Sequence, residues 1–412
     1  MQQELSLTHH QGRTMKRRWS LFAVAISLCL ALGGLGYLVV PGGVAWAQNS
    51  RKIDFASVFR SAKGGNIAPC REIFDPYPEF NGIALDPAHN LVGLSDTNLK
   101  SLLIYHMDQG STSPDITPQL GQIKGPATYI SYAAGVAFDP DSKRVCVTEN
   151  DVGDDVACFP VTANGDYRAR VLAVPHGAYG VSFSHRLRQM AVSIEHNAQI
   201  IFYATGATGA TLPLRSIRGP HTGMADPHGM YWDDQNHEIA VVNHGNWSRG
   251  YWDIDYNGGG HYQPPSITVF SDEAKGDAAP LRTVQGNLTR LNWPSGVAVD
   301  TVHNEIAVAN TASGSVLIFS RTANGNVAPI REIVGPHTGL SIPMGVAFDP
   351  AHNTLWVANF GHTALIFDRT ANGDVAPLRI VRNAPKGTPA ARFGNPFTIA
   401  YDSKRDALIV PN

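Results

Sequence analysis

Hydrophobic positions along most of this chain fall in short runs of four to six residues, rich in Val, Ile and Phe and punctuated by Gly, Asn and Asp. Such runs predict β-strands joined by tight turns. No 3.6-residue period persists, so no long amphipathic helix is expected beyond the N-terminal region. The runs also repeat. Gly296-Val297-Ala298-Val299-Asp300 returns as Gly345-Val346-Ala347-Phe348-Asp349, as Gly135-Val136-Ala137-Phe138-Asp139 and as Gly82-Ile83-Ala84-Leu85-Asp86. Degenerate copies start at Gly180, Gly229 and Thr398, and successive starts are 53, 45, 49, 67, 49 and 53 residues apart. In the fifth copy a second run, Glu305 to Asn310, and a third, Ser315 to Ser320, follow the first. A Thr322-Ala323-Asn324-Gly325 turn then leads through Ala328-Pro329-Ile330-Arg331 into a fourth run.

Four short antiparallel strands in a repeat of roughly fifty residues predict a β-propeller blade. Proline cannot donate to a ladder, so it belongs at the start of the outermost strand, where Pro69, Pro213, Pro280, Pro329 and Pro377 fall. The last copy supplies only two runs, Thr398 to Asp402 and Ala407 to Val410. Near the other end, Lys52 to Phe59 and Gly65 to Ile73 match Ser315 to Phe319 and Gly325 to Ile333. The expectation is an all-β, seven-bladed β-propeller with four-stranded antiparallel blades. Its last blade is closed by N- and C-terminal strands, with residues 52–74 completing it and removing open sheet edges.

The Pro-x-Gly-Val-Ala-x-Asp pattern is followed by a strand ending Val-Ala-Asn and then by another apolar strand. It resembles the NHL-repeat and YVTN-type lactonase-like β-propellers of bacteria. The resemblance covers Ile53 to Asn412 and is best from Pro294 to Arg379. It implies architecture strongly and activity weakly, because such propellers include binding scaffolds, lactonases, lyases and sensors.

The first fifty residues follow another pattern. Lys16-Arg17-Arg18 precedes an apolar run from Trp19 to Val40, and Ala45-Trp46-Ala47 supplies a small-x-small cleavage pattern. This predicts a signal peptide over residues 1–47, cleaved near Ala47, and a single propeller domain over 48–412 that is periplasmic or secreted. A retained anchor is the alternative, since the run is about long enough to span a bilayer; Gly33, Gly34 and Gly36 weaken it as a helix. No second apolar run of this length occurs, so no membrane span is expected after cleavage.

Composition adds exclusions. In 412 residues, 43% are hydrophobic and 16% charged, and 32 Lys+Arg against 34 Asp+Glu give a net charge of −2. There is no basic excess for a dedicated nucleic-acid partner, and there is ample apolar material for a core. Outside the signal only Cys70, Cys146 and Cys158 remain, an odd number that is no disulfide framework. Cys146 and Cys158 either face each other across a hairpin or serve as small buried hydrophobes. No phosphate-binding Gly loop, Cys-x-x-Cys pair or Gly-x-Ser-x-Gly elbow stands in a convincing context.

Candidate chemistry collects where second strands end, on the face around a propeller's central channel. Those ends read Asp96, Glu149, Ile194, Asn243, Asn310, Asn359 and Asn412, and Glu195 and His244 follow two of them. Oxygen donors of this kind suit a hard cation. The resemblance implies the same, since calcium-dependent lactonases hold their metal with Glu, Asn and Asp from such ends. Glu149, Glu195, Asn243 and Asn310 are the candidate metal ligands, against turn capping by Asn and Asp as the alternative. His228, which leads into blade four, sits near His244. With the nearby carboxylates these histidines suit zinc or general-base work, making His228, Glu149 and Glu195 the catalytic candidates.

Blade four alone is swollen. The 22 residues from His244 to Pro265 stand where the fifth blade uses four. Trp247, Tyr251, Trp252, Tyr256 and Tyr262, together with His244, are expected to grip a ligand or to plug the channel. Asp253-x-Asp255-x-Asn257-Gly258 reproduces the opening of a calcium loop, so Ca2+ is the one cofactor anticipated. Pro264 stands where the closing Glu of such a loop belongs. The functional expectation is a binding module for a small molecule or an extracellular protein or polysaccharide. A metal-dependent hydrolase or lyase of the lactonase-like kind is the alternative.

Overall fold

The computed structural model describes residues 66–67, 73, 80–110, 117–139, 141–150, 152–245, 247–248, 261–381, 396–402 and 404–411. Residues 1–47, where a signal peptide is expected, lie outside them, as do Asp253, Asp255 and Asn257.

Among the described residues, six blades of four antiparallel strands follow one another, the sixth extended by one further strand. Their inner strands are Phe80–Asp86, Ala133–Asp139, Ala178–Ser184, Pro227–Asp233, Pro294–Asp300 and Pro343–Asp349. Each is the Gly-Val-Ala-x-Asp repeat, or its degenerate copy from Gly180 or Gly229, preceded by two residues. The second and third strands are buried almost throughout, as Glu305–Asn310 and Ser315–Ser320 illustrate. Short outer strands such as Arg331–Ile333 complete each blade. Pro213, Pro280, Pro329 and Pro377 stand two residues ahead of their outer strands, where no ladder donor is missed.

Each inner strand carries a break in register near its start, such as that between Pro227 and Met230. Bulges of this sort re-aim a side chain, and here they free the second residue of the inner strand from its own sheet. The repeated glycine follows from packing. A Cβ on Gly296 would stand 2.5 Å from the Met344 carbonyl oxygen of the next blade.

The other repeated motifs join neighbouring blades. The glycine of each Ala-Asn-Gly-type turn bridges in parallel to the preceding blade's outer strand, as Gly325 does to Val284 and Gly373 to Ile333. The turn asparagines, Asn324 and Asn372, accept the N–H of Thr283 and Glu332, each at 3.0 Å. Asp374 receives the backbone N–H of His337 at 2.8 Å and its ring Nδ1 at 2.7 Å. The Gly-Pro-His-Thr-Gly histidines are therefore structural ties. Glu238 binds Arg282 of its own blade through two contacts, of 2.9 and 2.7 Å, and Arg321 of the next blade at 2.7 Å. Glu305 repeats this with Arg331 and Arg369.

The expected count of seven blades is corrected to six. Among the described residues, Ala400–Asp402 and Ala407–Ile409 form a sheet of two strands. The described N-terminal piece does not join it. Asn66–Ile67 instead runs parallel to Arg379–Val381, adding a fifth strand to the outer edge of blade six. Sequence similarity identifies what a segment resembles, whereas hydrogen bonding decides which edge it extends. Ala400–Asp402 packs against the inner strands of blades six and one.

Cys146 and Cys158 are directly opposed on adjacent strands of blade two and are joined by a disulfide.

Candidate functional site at the channel face

From blade two onward, the residue just past the second strand reaches the start of the next inner strand or the segment before it. Asn150 donates to the Ala178 carbonyl at 3.4 Å and to Glu195 at 3.2 Å. Glu195 Oε1 lies 3.0 Å from His228 Nε2. His244 Nε2 lies 3.4 Å from Ser295 Oγ, and Thr311 Oγ1 lies 2.8 Å from the Ser295 hydroxyl while donating to the Pro343 carbonyl at 2.7 Å. Between blade six and the terminal pair the contact turns apolar, with the Phe360 and Phe397 rings edge to face at 4.7 Å. A polar seam thus crosses blades two to five and ends in an aromatic contact.

Its centre is blade four. His228 and His244 stack with centroids 3.3 Å apart and planes 19° from parallel. Asp226 stands beside both, its Oδ1 3.6 Å from His228 Nδ1 and its Oδ2 3.7 Å from His244 Nδ1. Tyr179 packs on the His228 ring at 4.6 Å. Trp293 meets His244 edge-on and donates its indole N–H to His244 Nδ1. The two histidines share one hairpin, because Pro227 pairs with Asn243 at the open end of the first two strands. Local sequence therefore fixes the cluster.

The electrostatics split the pair. Burial opposes charge on His228, but the Glu195 hydrogen bond and the Glu195 and Asp226 carboxylates outweigh it and raise its pKa. Burial and the neighbouring His228 push His244 down to about 2. Burial, aided by Glu195, moves the Tyr179 phenol well above its ordinary range. One imidazole is thus braced for a proton and the other kept neutral, an arrangement suited to proton transfer or cation binding.

The strand-end oxygens do something else. Glu149 Oε2 accepts the Ser131 N–H at 2.7 Å, the Ser131 hydroxyl at 2.6 Å and the Tyr132 N–H at 2.6 Å. Asn310 Oδ1 accepts the Asn292 N–H at 2.6 Å, and Asn243 Oδ1 the Ala225 N–H at 3.2 Å. Each ties down the loop leading into its own blade. Glu149, Asn243 and Asn310, which the resemblance offers as calcium ligands, thus already hold local backbone donors. Burial raises Glu149 against those bonds, and nearby Asp155 is pushed up to about 6 by burial, by Glu149 and by Asp154.

Of the blade-four insert, Trp247–Ser248 pairs antiparallel with His261–Tyr262, a short two-stranded ribbon. Gly245 has φ 67°, and a Cβ there would collide with the Pro264–Pro265 backbone, where the two ends of the insert meet. Tyr251, Trp252 and Tyr256 lie outside the described residues. An open hollow of ≈ 330 Å³, lined by Tyr129, Arg168, Ala169, Val171, Ala173 and Gly209, sits instead at the outer edge between blades and holds no histidine or carboxylate.

No protein-family model matches the chain, and no curated protein does. Among solved structures 1558 chains match. One is the WD40 β-propeller domain of Doa1, with a TM-score of 0.56 and 10% identity, covering 84% of this chain and 92% of that one. This chain is a β-propeller. At that identity the likeness extends to the fold alone.

Asp226 and Trp293 are the residues that sequence pattern does not single out. Both stand immediately before an inner strand, as do Tyr132 and Ile342. Aligning the blades at that position reveals them. Tyr132, Trp293 and Ile342 are exposed by 41%, 55% and 44%. Trp293 and Ile342 each have φ 52°, and Asp226 has φ 56°.

Proposed function

We propose that this propeller is an exported binding module that takes its ligand on the channel face, over the polar seam of blades two to five and the start of blade six. One observation carries the reading. Large apolar residues stand exposed at the same position in three blades, two of them in the left-handed backbone region that such side chains resist. They flank a buried polar cluster. An apolar rim with a few fixed polar groups at its floor is the usual composition of a ligand site. It fits a small molecule with an apolar face and a hydroxyl or carboxylate group. Trp247, Tyr251, Trp252, Tyr256 and Tyr262 of the insert are proposed to cover the bound ligand. The Trp19 to Val40 run, the Ala45-Trp46-Ala47 pattern and the Cys146–Cys158 disulfide support export to an oxidising compartment.

A thermal-shift and calorimetric screen of lactones, hydroxy acids and oligosaccharides tests the reading. A ligand found this way is expected to lose at least about tenfold in affinity with Trp293→Ala and Ile342→Ala. Ligands that bind both variants as tightly as the wild type would remove the channel face from consideration.

A second reading, a metal-dependent hydrolase or lyase, is favoured by the carboxylate–histidine cluster of blade four. His228 braced by Glu195 is its proton-carrying pair. Turnover of lactones or esters with added metal, lost in His228→Ala, is its test.

A further inference from the structure

We infer that Asp226, His228 and His244 bind one divalent cation of the zinc class, with Glu195 positioning His228. This deepens the second reading above, although metal can bind without turnover.

The three residues each offer a donor atom, and these atoms lie within 4.8 Å of one another. They come from one hairpin, two of them only two residues apart, so little backbone motion is needed to draw them onto an ion. The Nδ1 atoms of both histidines face the two oxygens of the same carboxylate, at 3.6 and 3.7 Å. Two imidazole nitrogens and one carboxylate oxygen favour zinc and its neighbours over calcium, which takes six to eight oxygens.

The surroundings agree. Glu195 lies 3.0 Å from His228 Nε2. A carboxylate holding the far nitrogen of a metal-binding imidazole fixes its tautomer and turns the other nitrogen to the ion. At His228 that other nitrogen is Nδ1, which now lies 3.2 Å from the Asp226 carbonyl oxygen. At His244 the indole N–H of Trp293 occupies Nδ1. Trp293 is 55% exposed, so a cation displaces it at small cost. Three protein donors match the ligand count of catalytic zinc sites, in which water or substrate takes the fourth place. A second triad, Asp349, His352 and Asp406, is exposed at His352 and Asp406 and serves as the control.

The test is calorimetric titration of the chelator-stripped protein with Zn2+ alone, with Co2+ absorption as a second readout of the donor set. The wild type is expected to bind one equivalent tightly and to give the intense visible bands of a four-coordinate Co2+ site. Glu195→Gln is expected to weaken binding by roughly 10- to 100-fold. Asp226→Asn and His244→Ala should weaken it further, with melting of the metal-free variants showing that they fold. His352→Ala should change nothing. Absence of Zn2+ binding by the wild type would overturn the inference, as would binding that survives Asp226→Asn and His244→Ala but is lost in His352→Ala. Tight Zn2+ binding without lactone or ester turnover leaves the metal site standing and removes the hydrolase reading.

Discussion

The imidazole of His228 lies face to face with that of His244, 3.3 Å between centroids, so the two rings accommodate only one positive charge, and hence one added proton, between them. Glu195 places that proton on His228, and His244 stays neutral with its Nδ1 receiving the Trp293 N–H. The expected titration is unequal. His228 should titrate above the ordinary histidine value, and His244 should remain neutral down to about pH 2. The consequences for stability have opposite signs. The His228 contribution is complete below the unfolded pKa and is lost as pH rises through its raised folded value. The His244 contribution is present above the unfolded pKa and is lost as pH falls, because the unfolded chain takes up a proton that the fold refuses. Imidazole nitrogen shifts measured by NMR across pH 4 to 8 check this, and two rings titrating together near 6.5 would contradict it.

Glu238 ties blade four to blade five. It accepts from both Arg282 and Arg321, and all three side chains are mostly buried. Glu238→Ala strands two guanidinium groups and should cost about 2 kcal/mol, between the values typical of exposed and fully buried pairs. Glu332→Ala removes a partner from Arg290, whose side chain is 61% exposed, and should cost less than about 1 kcal/mol. Urea unfolding of the two variants compares them.

Asp155 carries the opposite pH signature from a paired carboxylate. Its pKa is raised to about 6 by burial and by the neighbouring Glu149 and Asp154 carboxylates. The folded protein therefore holds a proton that the unfolded chain releases near pH 4, and stability falls as pH rises from about 4 to 6. Asp155→Asn should match the wild type at pH 4 and exceed it at pH 7.5 by about 1 kcal/mol, a figure kept low because solvent reaches part of the carboxyl. Melting at the two pH values decides.

The Cys146–Cys158 disulfide closes a short hairpin between two buried residues. Cys146→Ala with Cys158→Ala should lower stability by about 2–3 kcal/mol. A non-reducing digest should yield the two cysteine peptides linked, and recovery of both as free thiols from oxidatively folded protein would contradict the pairing.

The strand order of each blade was legible because the repeat carries its own packing logic. Gly296 must admit the Met344 carbonyl, and Asn324 and Gly325 must dock on the previous blade, so the same letters recur wherever the same contact does. The blade count was not legible in the same way. Gly65 to Ile73 resembles an outer-strand segment, but nothing in that likeness says that Asn66 pairs with Ile380. At the site, His228, His244 and Glu195 emerge from their places at strand ends. Asp226 and Trp293 sit in loops before inner strands, where residue type varies from blade to blade and no motif marks them. The asparagines at the strand ends look like a ring of ligands by position, yet Asn243 and Asn310 spend their amides on local backbone.

The most direct measurement of the account is hydrogen–deuterium exchange of the protein with and without the tightest ligand from the screen. Binding on the channel face predicts protection concentrated in residues 129–134, 225–230, 243–245, 290–295 and 340–345, together with the blade-four insert. Protection confined to the outer strands, such as Arg170–Ala173 and Arg215–Ile217, with the channel-face segments unchanged, would contradict it.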